Sequence, residues 1–383
     1  MRLRLSDEEA AFREEMRTFF TTKVPQEIRD AVAAGRSVGK DGYVESMRIL
    51  NAAGLAVPNW PVEWGGQDWT PLQRHIWHEE MQLACVPPPL AFNASMVGPV
   101  IANFGSQKLK ERFLPPTANL DIWWAQGFSE PNSGSDLASL TTRAERDGDD
   151  WIVNGQKTWT TLGQHADWIF CLVRTDPAAE RKQQGISFLL FPMDSPGVTL
   201  RPIELIDGSF EVNEVFFDDV RVPGELLVGE VNQGWTYAKF LLGNERVGVA
   251  PVGVVKQALA TLKQHAQELG RLDDPLVSAR FVDLENELLA LELTALRVVA
   301  HSADGKPHPA SSVLKLKGTE LQQAVSELAV DLAGPLSLAS GSESVPDWTA
   351  LAAPTYLNLR KASIYGGSNE IQRQIIAGTI LGL

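Results

Sequence analysis

Two polar stretches in the middle of the chain have residue types that suit the binding of a flat, hydrogen-bonding ligand. The stretch QGFSEPNSGSDL (126–137) is rich in Ser, Asn and Gly, and turns of this composition present backbone donors and hydroxyls to a polar ligand. The stretch NGQKTWTT (154–161) follows it, and strand alternation places Trp159 and Thr161 on one face. An indole and a hydroxyl on one face suit a planar ring, although an ordinary hairpin with polar loops explains the same residues equally well.

Two adjacent glycines interrupt an apolar pattern near the end of the chain. The pattern has helical spacing and predicts a helix over 355–381, yet the stretch KASIYGGSNEIQRQ (361–374) places Gly366 and Gly367 inside it. Each glycine costs a helix about 1 kcal/mol relative to alanine. The pair therefore needs a reason beyond helix formation.

Other motifs with chemical meaning are absent or lack their context. No two glycines have the spacing of a dinucleotide fingerprint, and no phosphate loop occurs. The pair His75 and His78, beside Glu79, could suggest a metal, but no third ligand has a recognisable spacing to the two histidines. We therefore interpret these residues as a solvated helix face. Cys85 and Cys171 lie far apart and indicate neither a disulfide framework nor a zinc cluster. We therefore expect no metal site.

Composition restricts the class of protein. The chain has 383 residues, of which 44% are hydrophobic, and this length is enough for two or three packed units. A net charge of −14 argues against a nucleic-acid surface. The N-terminal stretch is too acidic for a transit peptide, and no apolar run has transmembrane length. We expect a cytoplasmic protein that binds neither nucleic acid nor membrane.

The hydrophobic period changes twice along the chain. Helical spacing covers about 5–120, where Ser6 and Glu9 form a capping box. Strands and turns cover about 124–230, with hairpin dipeptides at Asp147-Gly148 and Asn154-Gly155. Helical segments are then predicted at 235–269, 276–303, 311–333 and 355–381. The prediction is an α+β multidomain fold: an N-terminal helical domain (1–123), a middle β-sheet or barrel-like domain (124–232) and a C-terminal four-helix bundle (233–383).

Five separated motifs together resemble the acyl-CoA dehydrogenase family. They are AGLAVPNWPVEWGG (53–66), GFSEPNSGSD, NGQKTWTT, LLGNERVGVA (241–250) and IYGGSNEIQR, and they stand in the order of that family. The resemblance implies the helical, β and helical-bundle fold of the family and a bound FAD. It also implies oxidation of an acyl-CoA thioester to the trans-2-enoyl thioester, as in the β-oxidation of fatty acids or sterol side chains.

The resemblance assigns contacts to individual residues. Trp159 would stack on the flavin ring, with Thr161 at its N5, and Ser135 and Arg246 would contact the acyl-CoA. The remaining assigned residues would all contact FAD: Gln126 beside the ring, Phe128 and Ser129 at its pyrimidine edge, and Ser368 and Glu370 at its adenylate half.

The resemblance also locates a catalytic base. Many members of the family have a glutamate at the position of Gly366, whereas a smaller group has it one helix earlier, directly before an arginine. The sequence Glu245-Arg246 matches that smaller group, so Glu245 is the predicted base. The backbone N–H of Gly366 would still hydrogen-bond the thioester carbonyl, and the missing side chain would leave room for a carboxylate from another helix.

Two departures from the family concern assembly. The stretch HAQELGRLDDP (265–275) lacks an Arg-x-x-Phe-Gly element that reaches the FAD of a neighbouring subunit, and Pro335 replaces a glycine. In this respect the chain resembles the large subunit of pimeloyl-CoA dehydrogenase and similar heteromeric bacterial members. We expect an α2β2 tetramer with an unlike subunit, or a homo-oligomer, with an electron-transferring flavoprotein as acceptor. A non-catalytic assembly subunit and an acyl-CoA oxidase remain alternatives, and the acyl chain stays open between dicarboxylic, branched, sterol-derived and simple fatty groups.

Overall fold

The computed structural model describes residues 4–245, 252–301, 310–339 and 344–383. Within these ranges the α-helices are α1 (Asp7–Lys23), α2 (Gln26–Ala33), α3 (Gly39–Ala52), α4 (Pro71–Leu83), α5 (Gly98–Phe104), α6 (Gln107–Ala118), α7 (Gly234–Glu245), α8 (Val252–Glu268), α9 (Pro275–His301), α10 (Ser311–Ala333), α11 (Asp347–Leu359) and α12 (Asn369–Ile376). The strands are β1 (Trp124–Gly127), β2 (Arg143–Asp147), β3 (Asp150–Thr161), β4 (Trp168–Arg174), β5 (Ile186–Pro192), β6 (Val198–Ile203) and β7 (Val212–Val222).

The N-termini of several helices are capped by local side chains. The predicted capping box of α1 is confirmed, since Ser6 Oγ accepts from the backbone N–H of Glu9 and Glu9 accepts from that of Ser6. Thr70 and Gln73 form the same arrangement at α4, where a proline occupies the first turn. These caps satisfy N–H groups that a helix leaves unpaired.

The chain forms two compact units, which we call the helical unit and the sheet unit. The helical unit consists of the described residues within 1–42, 69–88 and 246–383, and the sheet unit consists of 43–68 and 89–245. The division into domains at 123/124 and 232/233 stays a prediction.

The core of the helical unit lies between α8, α9 and α10. Its buried side chains are aliphatic apart from Phe281, and α10 also packs against α11 and α12. The predicted continuous helix over 355–381 is wrong, because α11 ends at Leu359 and α12 begins at Asn369. Gly366 and Gly367 lie between them with φ of 64° and 82°. Glycine adopts this left-handed region without the strain that a Cβ brings, so the pair permits a sharp break between two helices.

The sheet unit has seven strands in the order β1-β4-β2-β3-β7-β6, and β5 pairs with the other edge of β4. Strands β1 and β4 are parallel, as is the single pair between β2 and β4, whereas the remaining pairs are antiparallel. Strands β4 and β5 are buried almost throughout, and the rings of Phe170 and Phe188 stack 5.9 Å apart between them. This interior supports the loops that follow β1.

One predicted hairpin turn is correct and the other is wrong. Asp147 pairs with Asp150 at the ends of β2 and β3, and Gly148 lies in the turn with a φ of 63°. Gly155 instead lies inside β3, where a Cβ would approach Thr142 Oγ1 to 2.6 Å. The Asn154 side chain bonds Asp219 across to β7, so this dipeptide marks an irregularity of the ladder and not a chain reversal.

None of the helices in the described ranges is long and apolar enough to cross a membrane.

Candidate active site

The first half of the candidate site is the chain that leaves β1. Gln126 pairs with Phe170 of β4, and Phe128, the residue after the strand, is buried with its ring edge-on to Phe170 and Phe188. Ser129 is half-buried and its carbonyl accepts from the backbone N–H of Thr158 at 2.9 Å. The buried phenyl ring therefore anchors the polar residues on either side of it.

The turn that follows is open to solvent at Ser135. This serine and its neighbour Asp136 are both exposed, and Asp136 forms an ion pair with Lys182 at 3.1 Å. Ser135 lies eight residues beyond the last residue of β1, in the same turn-rich stretch. The predicted contact of Ser135 with a thioester arm remains a prediction.

The second half of the candidate site is a β-bulge near the end of β3. Lys157 pairs with Val215 of β7 and Thr160 pairs with Asn213, so β3 contains one residue more than β7 between these pairs. Trp159 lies in the bulge with a φ of 59°, and its side chain is 58% exposed. A non-glycine residue at such a φ is uncommon and occurs where the surrounding structure enforces it.

The bulge changes which side chains of β3 face the core. Before it, Trp151, Val153 and Lys157 point inward, whereas after it the inward residue is Thr160 and Trp159 points outward. Thr161 is half-buried and lies two residues beyond Trp159. An extra residue reverses the alternation of a strand, and here it brings a large indole to the surface.

A buried ion pair joins the two halves of the site. Lys157 Nζ lies 2.8 Å from Glu130 Oε1, and the side chains are 0% and 4% exposed. Glu130 also accepts from the backbone N–H groups of Thr141 at 2.7 Å and Thr142 at 2.9 Å. Burial by itself opposes ionisation, but the Lys157 ammonium and these N–H donors outweigh it and lower the pKa of Glu130 to about 2. Both residues lie within the quoted motifs, yet their pairing is not readable from sequence.

Folding stability should depend on pH through Glu130. Its pKa of about 2 in the folded chain lies below the ordinary 4.5, so its contribution is fully present above pH 4.5 and is lost as pH falls towards 2. This difference corresponds to about 3 kcal/mol of unfolding free energy. We expect urea unfolding between pH 6 and pH 3 to show the wild type losing stability relative to Glu130→Gln/Lys157→Met. A difference between the two proteins that stays constant over this range would contradict the assignment.

Helix α7 carries the predicted base at its end. The helix is anchored within the sheet unit by Tyr237 and Phe240, whose rings contact Phe104 at centroid distances of 4.5 and 5.1 Å. Glu245 is the last residue of α7, but its side chain, like the whole of Arg246, lies outside the described residues. The roles of both residues remain predictions.

In the helical unit, the remaining candidate residues surround the glycine break. Ser368 caps α12 and accepts from the backbone N–H of Ile371 at 3.4 Å, while Glu370 is exposed in the first turn. The buried Gln372 amide donates to the carbonyls of Gly366 at 3.4 Å and Gly367 at 3.2 Å. These bonds satisfy the two carbonyl oxygens of the break, and the role of the Gly366 N–H remains a prediction.

Sequence reasoning missed a buried lysine beside this break. Lys315 of α10 is 1% exposed, and its Nζ donates to Asn369 Oδ1 at 3.1 Å. Burial lowers its pKa, although Glu370 acts in the opposite direction. The helical spacing of α10 predicts that position 315 faces inward, and a lysine at an inward position is the sequence signal that could have identified it.

Among the residues that the structure describes, no three His, Cys, Asp or Glu side chains are grouped so that they could hold a metal ion. The interpretation of His75 and His78 as a solvated face is wrong. Both side chains are partly buried, and His78 Nε2 lies 3.2 Å from the Gln82 amide. Burial lowers the pKa of His78 to about 4, which keeps the ring neutral near pH 7.

Comparisons with known proteins agree with this fold. Three family models match in order: the N-terminal domain of acyl-CoA dehydrogenase over residues 6–121, the middle domain over 125–220 and the C-terminal domain over 232–381. "Acyl-CoA dehydrogenase IpdE1" of Mycobacterium tuberculosis is 40% identical over 338 residues, covering 87% of this chain and 86% of that protein.

Solved structures give the same result. A structure described as "Tcur3481-Tcur3483 steroid ACAD" has a TM-score of 0.89 at 30% identity and covers 100% of this chain and 99% of that one. A chain of the ChsE4-ChsE5 complex from Mycobacterium tuberculosis has a TM-score of 0.85 at 32% identity, with coverage of 100% and 99%.

The fold and these matches define an oxidoreductase that acts on acyl-CoA. The chain belongs to the acyl-CoA dehydrogenase family, whose members are flavoproteins that typically use FAD. The predicted fold class and the resemblance are therefore confirmed.

Proposed function

We propose that this chain catalyses the FAD-dependent α,β-dehydrogenation of an acyl-CoA thioester, with Glu245 as the base. The observation that carries the proposal is the exposed indole of Trp159, held outward by a strained bulge beside the loop after β1. A sheet gains no stability from exposing its largest side chain, so this geometry suits a planar ligand that stacks on the ring.

The candidate residues fit FAD by their chemistry. Trp159 offers a flat face, Thr161 offers a hydroxyl two residues further on, and Phe128 and Ser129 offer backbone groups that the core holds in place. In the helical unit, Ser368 and Glu370 would contact the adenylate half. When bound, FAD supplies the acceptor for the hydride that leaves Cβ of the substrate.

The chain's own residues would supply proton abstraction. The α-proton of a thioester is too weakly acidic for a free carboxylate at neutral pH, so the carbonyl oxygen needs a hydrogen-bond donor as negative charge develops on it. The backbone N–H of Gly366 is our candidate donor, and the Glu245 carboxylate would take the proton.

The substrate we propose is a bulky, ring-bearing acyl-CoA such as a steroid-derived thioester. A structural relative at 30% identity is described as a steroid enzyme, and Gly366, our candidate donor, has no side chain to compete with a bulky acyl group. Two relatives are complexes of two named chains, which supports assembly with an unlike subunit. An electron-transferring flavoprotein is the proposed acceptor of the electrons.

Replacement of Trp159 tests the cofactor site. We expect Trp159→Ala to weaken FAD binding about 10- to 100-fold, because stacking on an aromatic ring is worth about 1–3 kcal/mol. Trp159→Phe should retain most of the affinity, since it keeps an aromatic face. FAD affinity is measured by fluorescence titration of the assembled enzyme.

Phe210→Ala provides the matched control for this test, because Phe210 is a second exposed aromatic residue of the sheet unit, at 52% exposure. It should bind FAD as the wild type does. Equal FAD affinity in Trp159→Ala and wild type would remove Trp159 from the site and with it the main support for the proposal.

A further inference from the structure

The ion pair between Glu130 and Lys157 lies behind the residues that we assign to the flavin. We propose that this pair is a positioning device, which fixes the loop after β1 and the Trp159 bulge relative to each other so that both can contact the cofactor. The inference rests on the proposed function for the identity of the ligand, but the contacts that carry it are within the sheet unit.

Two sets of hydrogen bonds tie the loop to the bulge. Lys157 Nζ donates to the carbonyl of Phe128 at 3.1 Å and to Glu130 Oε1 at 2.8 Å. The next residue, Thr158, donates its backbone N–H to the carbonyl of Ser129 at 2.9 Å. The residues at and just before the bulge are thus bonded to three consecutive residues of the loop.

The Glu130 carboxylate extends this network to β2. Its Oε2 accepts from the backbone N–H of Thr141 at 2.7 Å and from the Thr141 hydroxyl at 2.8 Å, and its Oε1 accepts from the backbone N–H of Thr142 at 2.9 Å. A carboxylate held by four donors has little freedom to move. The ammonium that binds it is fixed by the same contacts.

Stability alone does not account for a buried pair of this kind. An apolar pair of similar volume is often as stable as a buried ion pair, because removing two charges from water is costly. Among the ion pairs of the sheet unit that the structure describes, this is the one in which both side chains are less than 5% exposed. An apolar residue at 157 would fill the space, but it would leave the Phe128 carbonyl without its donor.

The backbone conformation of Trp159 indicates what the Glu130–Lys157 ion pair holds in place. A φ of 59° is unfavourable for tryptophan, so neighbouring contacts must hold the residue there. The Lys157 side chain and the Thr158 N–H are contacts of the two residues immediately before it. Loss of the lysine should therefore let the bulge shift and turn the indole away from its present direction.

The test separates positioning from stability. The full chain is labelled with 5-fluorotryptophan, and the ¹⁹F resonance of Trp159 is assigned by its absence in Trp159→Phe. We compare Lys157→Met with the double variant Glu130→Gln/Lys157→Met, which removes the uncompensated buried carboxylate. The control is Arg221→Met, which removes the exposed ion pair to Asp150 at the far end of the same strands.

We expect the Trp159 resonance to move or broaden in both Lys157 variants and to stay unchanged in Arg221→Met. The double variant should regain thermal stability relative to Lys157→Met, yet its FAD affinity should stay at least about tenfold weaker than wild type, because the donor to Phe128 is still missing. If Lys157→Met does not fold, the double variant gives the same comparison.

Two results would overturn the inference. One is an unchanged Trp159 resonance in the double variant, and the other is an FAD affinity that recovers together with stability. Failure of the proposed function has a different signature, since FAD added to the assembled wild type would then leave the Trp159 resonance in place.

Discussion

Glu245→Gln is expected to fold and to bind FAD and acyl-CoA as the wild type does, yet to lose about 10²- to 10⁴-fold in kcat. The amide has nearly the same shape as the carboxylate but cannot accept the α-proton. Helix α7 should be unaffected, because its anchoring contacts are made by Tyr237 and Phe240, well before its end. The measurement is anaerobic loss of the visible flavin absorbance on mixing with substrate in a stopped-flow instrument.

A neighbouring glutamate supplies the control. Glu230 is exposed just before α7, and its backbone N–H, not its side chain, bonds the Tyr237 hydroxyl at 2.9 Å. Glu230→Gln should therefore react at the wild-type rate. A wild-type rate in Glu245→Gln would mean that another residue is the base.

Moving the carboxylate tests whether the missing side chain at Gly366 leaves room for the base from position 245. The double change Glu245→Gly/Gly366→Glu places a glutamate at the other position that the family uses, and we expect partial recovery of the rate. Recovery is limited because the φ of 64° at residue 366 costs an L-residue about 1–2 kcal/mol, and a misplacement of about 1 Å can cost about 100-fold. Gly366→Ala measures the backbone strain alone. Suppose that the double variant folds and binds FAD yet reacts no faster than Glu245→Gln, while Gly366→Ala retains activity. That result would contradict the idea that carboxylates at positions 245 and 366 reach the same α-carbon.

The second prediction with a large expected effect concerns the FAD content of the chain with and without an unlike subunit. Expressed alone, the chain is expected to hold little FAD, whereas an α2β2 complex with its unlike partner should hold one FAD per unlike pair. The reason is the missing arginine element in 265–275, a segment in which α8 ends and a short 3-10 turn leads into α9. Flavin content per chain, measured by absorbance after gel filtration, checks this expectation with and without the partner.

Two cationic residues near this segment are the alternative source, within the chain itself, of the positive charge that the missing arginine would supply. Arg271 is exposed in the 3-10 turn, and Lys263 forms an ion pair with Glu285 at 2.5 Å. Full flavin occupancy and turnover by the isolated chain would contradict the heteromeric assembly. In that case Arg271→Ala and Lys263→Ala identify the cation that replaces the absent arginine.

Local signals in the sequence predicted a large part of the fold. The cap of α1 depends on residues three positions apart, and the hairpin at Asp147-Gly148 depends on two adjacent residues. The predicted helix over 355–381 failed because apolar spacing continues across a break that Gly366 and Gly367 create. Periodicity reports which side is buried, but it does not report where the backbone changes direction.

The candidate site was less predictable, because its geometry depends on distant residues. Simple alternation along β3 would place Trp159 inward with Trp151 and Val153, and the bulge that reverses it is defined only by pairing with β7. Glu130 and Lys157 are 27 residues apart and meet only in the folded sheet unit. The resemblance to the family supplied candidate site residues that local patterns could not select.

The extra residue in β3 also has a consequence for how this protein can change. Upstream of the bulge, odd-numbered positions such as Trp151 and Val153 belong to the interior, whereas beyond it the interior position is the even-numbered Thr160. The interior positions therefore change from odd to even residue numbers within one strand. Deleting Thr158 would remove the bulge and leave Lys157, Trp159 and Thr160 in regular alternation, with the indole still outward and Thr160 still inward. A deletion elsewhere in β3 would instead turn every side chain beyond it to the opposite face.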